Sequence, residues 1–246
     1  MIHFVGAGPG AVDLITIRGQ KYIEEADVII YAGSLVNPEL LSKARPDCQV
    51  YDSSRLSLEE VIDLMKDTEK SGEKIVRLHT GDPCIYGAIR EQMDELDKLG
   101  ISYDYTPGVS SFCGAAAALN LEYTLPGVSQ SVLLTRMPGR TPVPESEPTK
   151  VFFLSAGNVQ GLVKELLKEG RSKDTPCAIV YKATWPDEEK YVTTLENLAL
   201  VAEQNNITKT ALIIVGDVVA PKGYDKSKLY DATFTTGFRE GSSTNE

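Results

Sequence analysis

Gly81-Asp82-Pro83 is the triplet in this chain whose residue types and spacing most invite chemistry. It closes an apolar run, Ile75, Val76 and Leu78, and precedes a segment that reads as a helix from about Ile85 to Leu99. Glycine lets another backbone approach closely, and proline fixes φ and removes a donor. The aspartate places a carboxylate at the bend. A strand that ends this way and runs into a helix makes a loop at the carboxyl end of a sheet, where open α/β proteins hold their ligands. By itself the triplet is equally an ordinary strand-to-helix turn. His79 stands just before it and can face such a cleft, whereas His3 lies in an apolar strand and reads as a core histidine.

A second glycine loop, Gly6-Ala7-Gly8-Pro9-Gly10-Ala11, invites a dinucleotide reading, with Ala11 in place of the third glycine. That reading needs a carboxylate at the end of the second strand to hold a ribose, and the strand ends instead in Tyr31-Ala32-Gly33-Ser34. Pro9 also withholds a backbone donor from the loop that would cradle phosphate. At Gly81 a phosphate-binding Walker loop is excluded, because no Gly-Lys-Ser/Thr follows. Ser110-Ser111 reads as a helix N-cap on its own. No nucleophile or acid–base set stands out, and no residue is singled out as catalytic. A site rich in turning backbone and poor in such side chains suits reactions that rest on positioning.

The elements that must hold these loops follow in order. Met1 to Val5 is a strand, Leu14 to Glu25 a helix whose Ile15, Ile17, Tyr22, Ile23 and Ala26 share one face, and Asp27 to Tyr31 a buried strand. Asn37-Pro38 starts a short helix, and Gln49 to Tyr51 is a weaker strand. Ser57 and Glu60 fit a capping box that opens a helix from Leu58 to Lys70. Ile101 to Tyr105 is a strand and Val109 to Leu119 a helix dense in small residues. This alternation predicts a mostly parallel sheet with helices on both faces. The pattern changes near Asn120. Ser131 to Thr135, Lys150 to Leu154, Cys177 to Tyr181, Lys190 to Thr194 and Ala211 to Val215 read as strands, the third pairing with the fourth across Trp185-Pro186-Asp187. Helices are expected over Asn158 to Lys168 and Leu195 to Gln204, and an irregular proline-rich loop over Met137 to Thr149. The sequence thus predicts an α/β protein of two domains, 1–119 and 120–246, the second ending in a flexible polar tail.

Composition narrows the classes. The 246 residues carry a formal net charge of −10, with 42% hydrophobic and 24% charged residues. Nucleic acid and anionic membrane are poor partners for that balance, since phosphate contacts need clustered Lys and Arg. Cys48, Cys84, Cys113 and Cys177 are scattered without metal-ligand spacing, so neither a metal site nor a disulfide framework is expected. No secretory leader and no apolar run of about 20 residues is present, which points to the cytoplasm.

Taken together, the motifs resemble those of the tetrapyrrole methylase family, the S-adenosylmethionine-dependent enzymes of corrin and sirohaem synthesis. VGAGPG with Asp13-Leu14 and Thr16 resembles the family's first signature, HTGDPCIYG its second and PGVSS (Pro107 to Ser111) its third; ALIIVG (Ala211 to Gly216) resembles its last core strand. YAGSLV, TRMPGRTPVPE, YKATWPDE and SKLYD resemble the branch that methylates C11 of a corrin precursor, with or without cobalt. Alternatives are a family member acting at C17 or C20 or on a sirohaem precursor, and a same-fold RNA or protein methylase, which should show a basic face.

The resemblance implies two α/β domains with the active-site cleft between them, a homodimer, S-adenosylmethionine as methyl donor and a tetrapyrrole as acceptor. It places Gly81, Asp82, Pro83, Ile85, Tyr86, Ser110 and Ser111 on the cofactor, joined from the second domain by Leu154, Ala156, Lys182, Ala183, Thr210 and Ala211. Pro9, His79, Arg136 and Arg140 are expected on the substrate side. Methyl transfer from a sulfonium is an in-line displacement, so alignment of donor and acceptor carries much of the rate, up to about 7–11 kcal/mol in favourable cases. A corrin precursor bears many carboxylates, which the acidic chain must meet with a local basic lining. Arg136, Arg140, Lys182 and Arg77 are the candidates.

Overall fold

The structure is a computed structural model that describes residues 1–137 and 147–242. Arg140 and most of the proline-rich loop lie outside the described residues, as do residues 243–246 of the tail. The chain divides into two compact units, one of residues 1–118 with 182–189, the other of residues 119–181 with 190–246.

The first unit is a parallel sheet. Its strands are β1 (Ile2–Gly6), β2 (Val28–Tyr31), β3 (Gln49–Asp52), β4 (Ile75–His79) and β5 (Tyr103–Thr106), in the order β3-β2-β4-β1-β5. β1 and β4 are buried along their whole length, as expected of strands covered on both faces. Helices α1 (Ile17–Glu25), α2 (Leu58–Lys70), α3 (Ile89–Leu99) and α4 (Ser111–Leu119) follow β1, β3, β4 and β5. One core cluster joins Val5, Ile23, Ile29, Leu40 and Leu78. The other joins Phe4, Ile30, Met65, Ile75 and Leu96. The sequence expectation of a mostly parallel sheet holds here.

Local chemistry sets the helix starts. At α2 the capping box forms, with the Ser57 hydroxyl accepting from the Glu60 amide and the Glu60 carboxylate accepting from the Ser57 amide. α1 begins at Ile17 rather than Leu14, because Thr16 is its N-cap, accepting from the Gly19 amide at 3.1 Å. Ile17 is 80% exposed and does not join the buried face expected of it. α3 begins at Ile89 rather than Ile85. Tyr86 and Ala88 take left-handed φ values of 57° and 50°, which a right-handed helix cannot contain.

The second unit holds a mixed sheet of β6 (Leu133–Arg136), β7 (Lys150–Phe153), β8 (Pro176–Tyr181), β9 (Glu189–Thr194) and β10 (Ala211–Val215), in the order β6-β7-β10-β8-β9. β6 and β7 are parallel, and β10 runs antiparallel to both β7 and β8. The expected neighbours β8 and β9 do pair. α5 (Val159–Lys168), N-capped by Asn158, and α6 (Leu198–Gln204) supply Leu162, Leu166 and Leu198 to its core.

Candidate functional site

Because the first sheet is parallel, the loops after β1, β4 and β5 leave the same edge, and the strand order makes them neighbours. They are locked by backbone as well as by side chains. The Ala7 amide donates to the His79 carbonyl at 2.7 Å, and Gly8 and Gly81 exchange both backbone bonds, at 3.2 and 2.8 Å. A Cβ added at Gly6 would stand 2.6 Å from Gly108 Cα, and one at Gly108 would stand 2.2 Å from the Gly81 carbonyl oxygen. No real side chain tolerates such contacts, so the close approach of the three loops requires glycine at 6 and 108.

Asp82 is the clasp of this junction. Its Oδ1 accepts from the Cys84 amide at 2.9 Å and from the Tyr105 hydroxyl, and its Oδ2 accepts from the Gly108 amide at 2.9 Å. Burial alone would raise its pKa. The hydrogen bonds from Tyr105, Cys84 and Gly108 outweigh burial and hold the carboxyl below the usual carboxylate range. The Tyr105 hydroxyl moves upward, first by burial and then by its bond to Asp82. Asp82 is thus spent on tying the loop after β4 to the loop after β5, a positioning role and not that of a general base. Tyr105 is a residue that sequence reading missed. Its signal is a phenol at the last turn of a strand, just ahead of Thr106-Pro107-Gly108.

The remaining expected residues divide by location. Gly81 and Pro83 are buried, Ile85 is half-buried and Tyr86 is exposed on its left-handed turn. Ser110 is buried just before α4, and Ser111 is the first residue of that helix. Pro9 is buried, and its carbonyl accepts from Trp185 Nε1 at 3.2 Å. The segment carrying Trp185 packs on the first loop. Thr184 Oγ1 accepts from the Ala11 amide at 2.9 Å, and a Cβ at Gly10 would fall 1.9 Å from the indole ring. Ala183 is buried in the same segment, and Lys182, with φ 46°, pairs with Asp187 while its ammonium stands 5.3 Å from the Trp185 ring centroid. The first glycine loop is therefore covered by an indole at the position where a dinucleotide would need open backbone. That coverage adds to the missing carboxylate and to Pro9 as evidence against nicotinamide chemistry.

In the second unit, the pairs Arg136↔Phe153, Ile213↔Phe152 and Ala211↔Tyr181 put Arg136, Leu154, Thr210 and Ala211 at one end of the sheet. Arg136 is exposed there, and Leu154 is 62% exposed. Leu154 and Thr210 hold left-handed φ of 50° and 54°. Ala156 and Ala211 pack into the core. Such φ values cost of order 1–3 kcal/mol in non-glycine residues and gather where a chain is shaped for a ligand.

Two buried side-chain atoms lack any partner among the described residues, His79 Nε2 and Thr106 Oγ1. Both stand at the carboxyl ends of strands, β4 and β5, that flank β1 on either side, where a polar ligand would satisfy them. Burial first, and the nearby Arg77 charge second, hold His79 well below its usual range, so it is neutral at physiological pH.

A unit with a parallel sheet whose carboxyl-edge loops are fused through glycine, and in the same chain a second unit with a mixed sheet, match a known class. This chain belongs to the tetrapyrrole (corrin/porphyrin) methylases, whose family model matches residues 1–199. A cobalt-precorrin-4 C(11)-methyltransferase of Methanocaldococcus jannaschii is 51% identical over 248 residues, covering 97% of this chain and 96% of that protein. The solved structure of a cobalamin biosynthetic enzyme, cobalt precorrin-4 methyltransferase, superposes with a TM-score of 0.84 at 43% identity, covering 89% of this chain and 96% of that one. A uroporphyrin-III C-methyl transferase of Thermus thermophilus, solved with S-adenyl homocysteine, gives a TM-score of 0.76 at 27% identity over 92% of this chain and 96% of that one.

Proposed function

We infer that this chain is an S-adenosylmethionine-dependent C-methyltransferase of corrin synthesis that methylates C11 of precorrin-4 or cobalt-precorrin-4. The observation that carries the reading is the match along 97% of the chain, at 51% identity, to a protein of that name. The geometry agrees with it: the carboxyl-edge junction offers shaped backbone and unpaired polar atoms rather than an acid–base pair.

The cofactor fits this edge by the chemistry of its donors. The unpaired Thr106 hydroxyl, Ser110 and the left-handed turn at Tyr86 present neutral polar groups and backbone. The Asp82 carboxylate is already engaged by three donors. S-adenosylmethionine, when bound, supplies an electrophilic methyl group on a cationic sulfur. A site without a free carboxylate at that point holds the donor without over-stabilising a charge that is lost in the transition state. The role of the chain's own residues is positional. Gly6, Gly81 and Gly108 bring the loops together, Asp82 fixes them, and Gly81, Asp82, Pro83, Ile85 and Tyr86 with Ser110 and Ser111 form the cofactor wall. Pro9 and His79 stand on the substrate side, with Arg136 meeting substrate carboxylates. We assign the protein to the cytoplasm as a homodimer, a state that light scattering after gel filtration reads directly.

Incubation with methyl-labelled S-adenosylmethionine and precorrin-4, or its cobalt complex, tests the reading. The expected product carries one added methyl group, located at C11 by NMR. A methyl at C17 or C20 would move the protein to another branch of the family, and no transfer to either substrate would overturn the reading. Arg136→Ala should raise the KM for the tetrapyrrole, and an unchanged KM would remove that residue from the substrate side.

A further inference from the structure

Arg77 is a buried cation without a counter-ion. It stands in the middle of β4, 6% exposed, and among the described residues it forms no ion pair. Its Nε donates to Gln92 Oε1 at 2.9 Å and its Nη1 donates to the Ile30 carbonyl at 3.1 Å. Both acceptors are neutral, and three of the five N–H donors of the guanidinium have no partner among the described residues. Burial pushes its pKa down to about 10, so it stays charged at neutral pH, its desolvation offset by two neutral acceptors and by no carboxylate among the described residues.

The guanidinium borders a cavity of about 260 Å³, which Arg77, His79, Ser53, Gln92 and the first turn of α3 help to line. His79, 4% exposed, contributes the unpartnered Nε2 described above. To the guanidinium charge and the neutral imidazole, whose Nε2 donates in its Nε2–H tautomer, the start of α3 adds a third element. Its N-cap, Ala88, is left-handed and has no side chain to accept the first-turn amides. An 11-residue helix therefore turns an uncapped positive end toward the same space. α2 also borders the cavity, but its capping box already satisfies its amides. The one carboxylate in the lining, Glu91, belongs to an exposed residue. An unpaired guanidinium, an imidazole nitrogen and an open helix terminus form a preorganised anion site, and the planar guanidinium favours a carboxylate.

We propose that this cavity receives the carboxylate of one acidic side arm of the tetrapyrrole substrate, held by Arg77 and His79. The proposal rests on the functional reading above and adds to it a point that fixes the orientation of the macrocycle. An acidic arm seated against Arg77 decides which ring carbon is presented for methylation, so the cavity is a specificity site as well as a binding one. The methyl donor also carries a carboxylate, and the test separates the two sources.

The test measures binding of three probes to the wild-type chain, Arg77→Met and His79→Phe. The probes are a porphyrin with free carboxyl side arms, the same porphyrin with every carboxyl methylated, and S-adenosylhomocysteine. Thermal unfolding with sodium propionate, against sodium chloride at equal ionic strength, reads the site without any tetrapyrrole. Propionate should raise the wild-type Tm and leave Arg77→Met unmoved. Arg77→Met should weaken the acidic porphyrin by about tenfold to a hundredfold, the span expected for a hydrogen bond to a charged group, and leave the ester and S-adenosylhomocysteine unchanged. His79→Phe keeps an aromatic ring and loses only the nitrogen, so it should weaken the acidic porphyrin less. It tests the cavity even where Arg77→Met does not fold. Equal affinity of wild type and both variants for the acidic porphyrin would overturn the proposal. So would a propionate effect that survives in Arg77→Met, or a loss confined to S-adenosylhomocysteine. An Arg77-dependent propionate effect without porphyrin binding by the wild type would keep the anion site and overturn the functional reading. Porphyrin binding that ignores Arg77 would do the reverse.

Discussion

Among the described residues the two sheets bury one cation each and treat it in opposite ways. In the mixed sheet, Lys150 begins β7, is fully buried, and its ammonium meets Glu169 at 2.8 Å. Glu169 is the C-cap of α5, so the cation also lies at the negative end of that helix. In the parallel sheet, Arg77 has only neutral acceptors, beside a histidine nitrogen with none. The paired cation is structure that has been completed. The unpaired one, in the middle of β4 beside the cavity at the start of α3, is structure that the proposed ligand would complete. A cation given its counter-ion by the fold is a closed structural pair, and a cation left without one in a cavity points to function.

The sharpest way to break this contrast is to remove partners. Glu169→Ala leaves the Lys150 charge buried alone and should cost about 3–5 kcal/mol in denaturant unfolding, while Lys150→Met, which removes the charge itself, should be nearly neutral or stabilising. Arg77→Met should cost far less than Glu169→Ala, about 1 kcal/mol, because the lost bonds to Gln92 and Ile30 are offset by removing an unpaired charge. If Arg77→Met destabilised as much as Glu169→Ala, the guanidinium would be structural after all.

Gly108→Ala comes next in size. Its Cβ would lie 2.2 Å from the Gly81 carbonyl oxygen, a backbone atom that cannot swing away. The expected cost is about 1–3 kcal/mol from overpacking, with loss of S-adenosylhomocysteine affinity as the loops after β4 and β5 part. Unchanged unfolding and binding would mean that the glycine junction is not what shapes the edge.

Asp82→Asn is smaller and depends on pH. The folded state holds the Asp82 carboxyl below its unfolded value, so the stability it contributes is fully present above about pH 4 and is lost as pH falls through the lower folded value. The gap in stability between wild type and Asp82→Asn should therefore be widest at neutral pH and close in acid. A gap that stays constant with pH would take the charge out of the clasp.

How much of this was legible in the sequence follows from the range of the interactions. The capping box of α2 and the parallel first sheet rest on neighbours in the chain and on periodicity, and both were readable. The start of α3 was not, because tyrosine and alanine at 86 and 88 give no signal for positive φ. Nor was the return of Trp185 to the Pro9 carbonyl, which joins residues from distant parts of the chain. Asp82 announced itself as a loop carboxylate, but its partners on the following strand and loop appear only in the fold. Arg77 looked like one candidate for a basic lining among four. What distinguishes it, burial without a counter-ion, is a property of the packed strand and of Gln92 on the next helix. Arg136 is exposed at the end of β6 and Lys182 is paired with Asp187.

The proposed site of the methyl donor is the carboxyl-edge junction, and calorimetric titration of the purified chain with S-adenosylhomocysteine, and separately with NAD, reads it. Micromolar binding of S-adenosylhomocysteine, weakened in Gly108→Ala, and no binding of NAD are expected. Binding of NAD with no binding of S-adenosylhomocysteine, even with a tetrapyrrole present, would contradict that site.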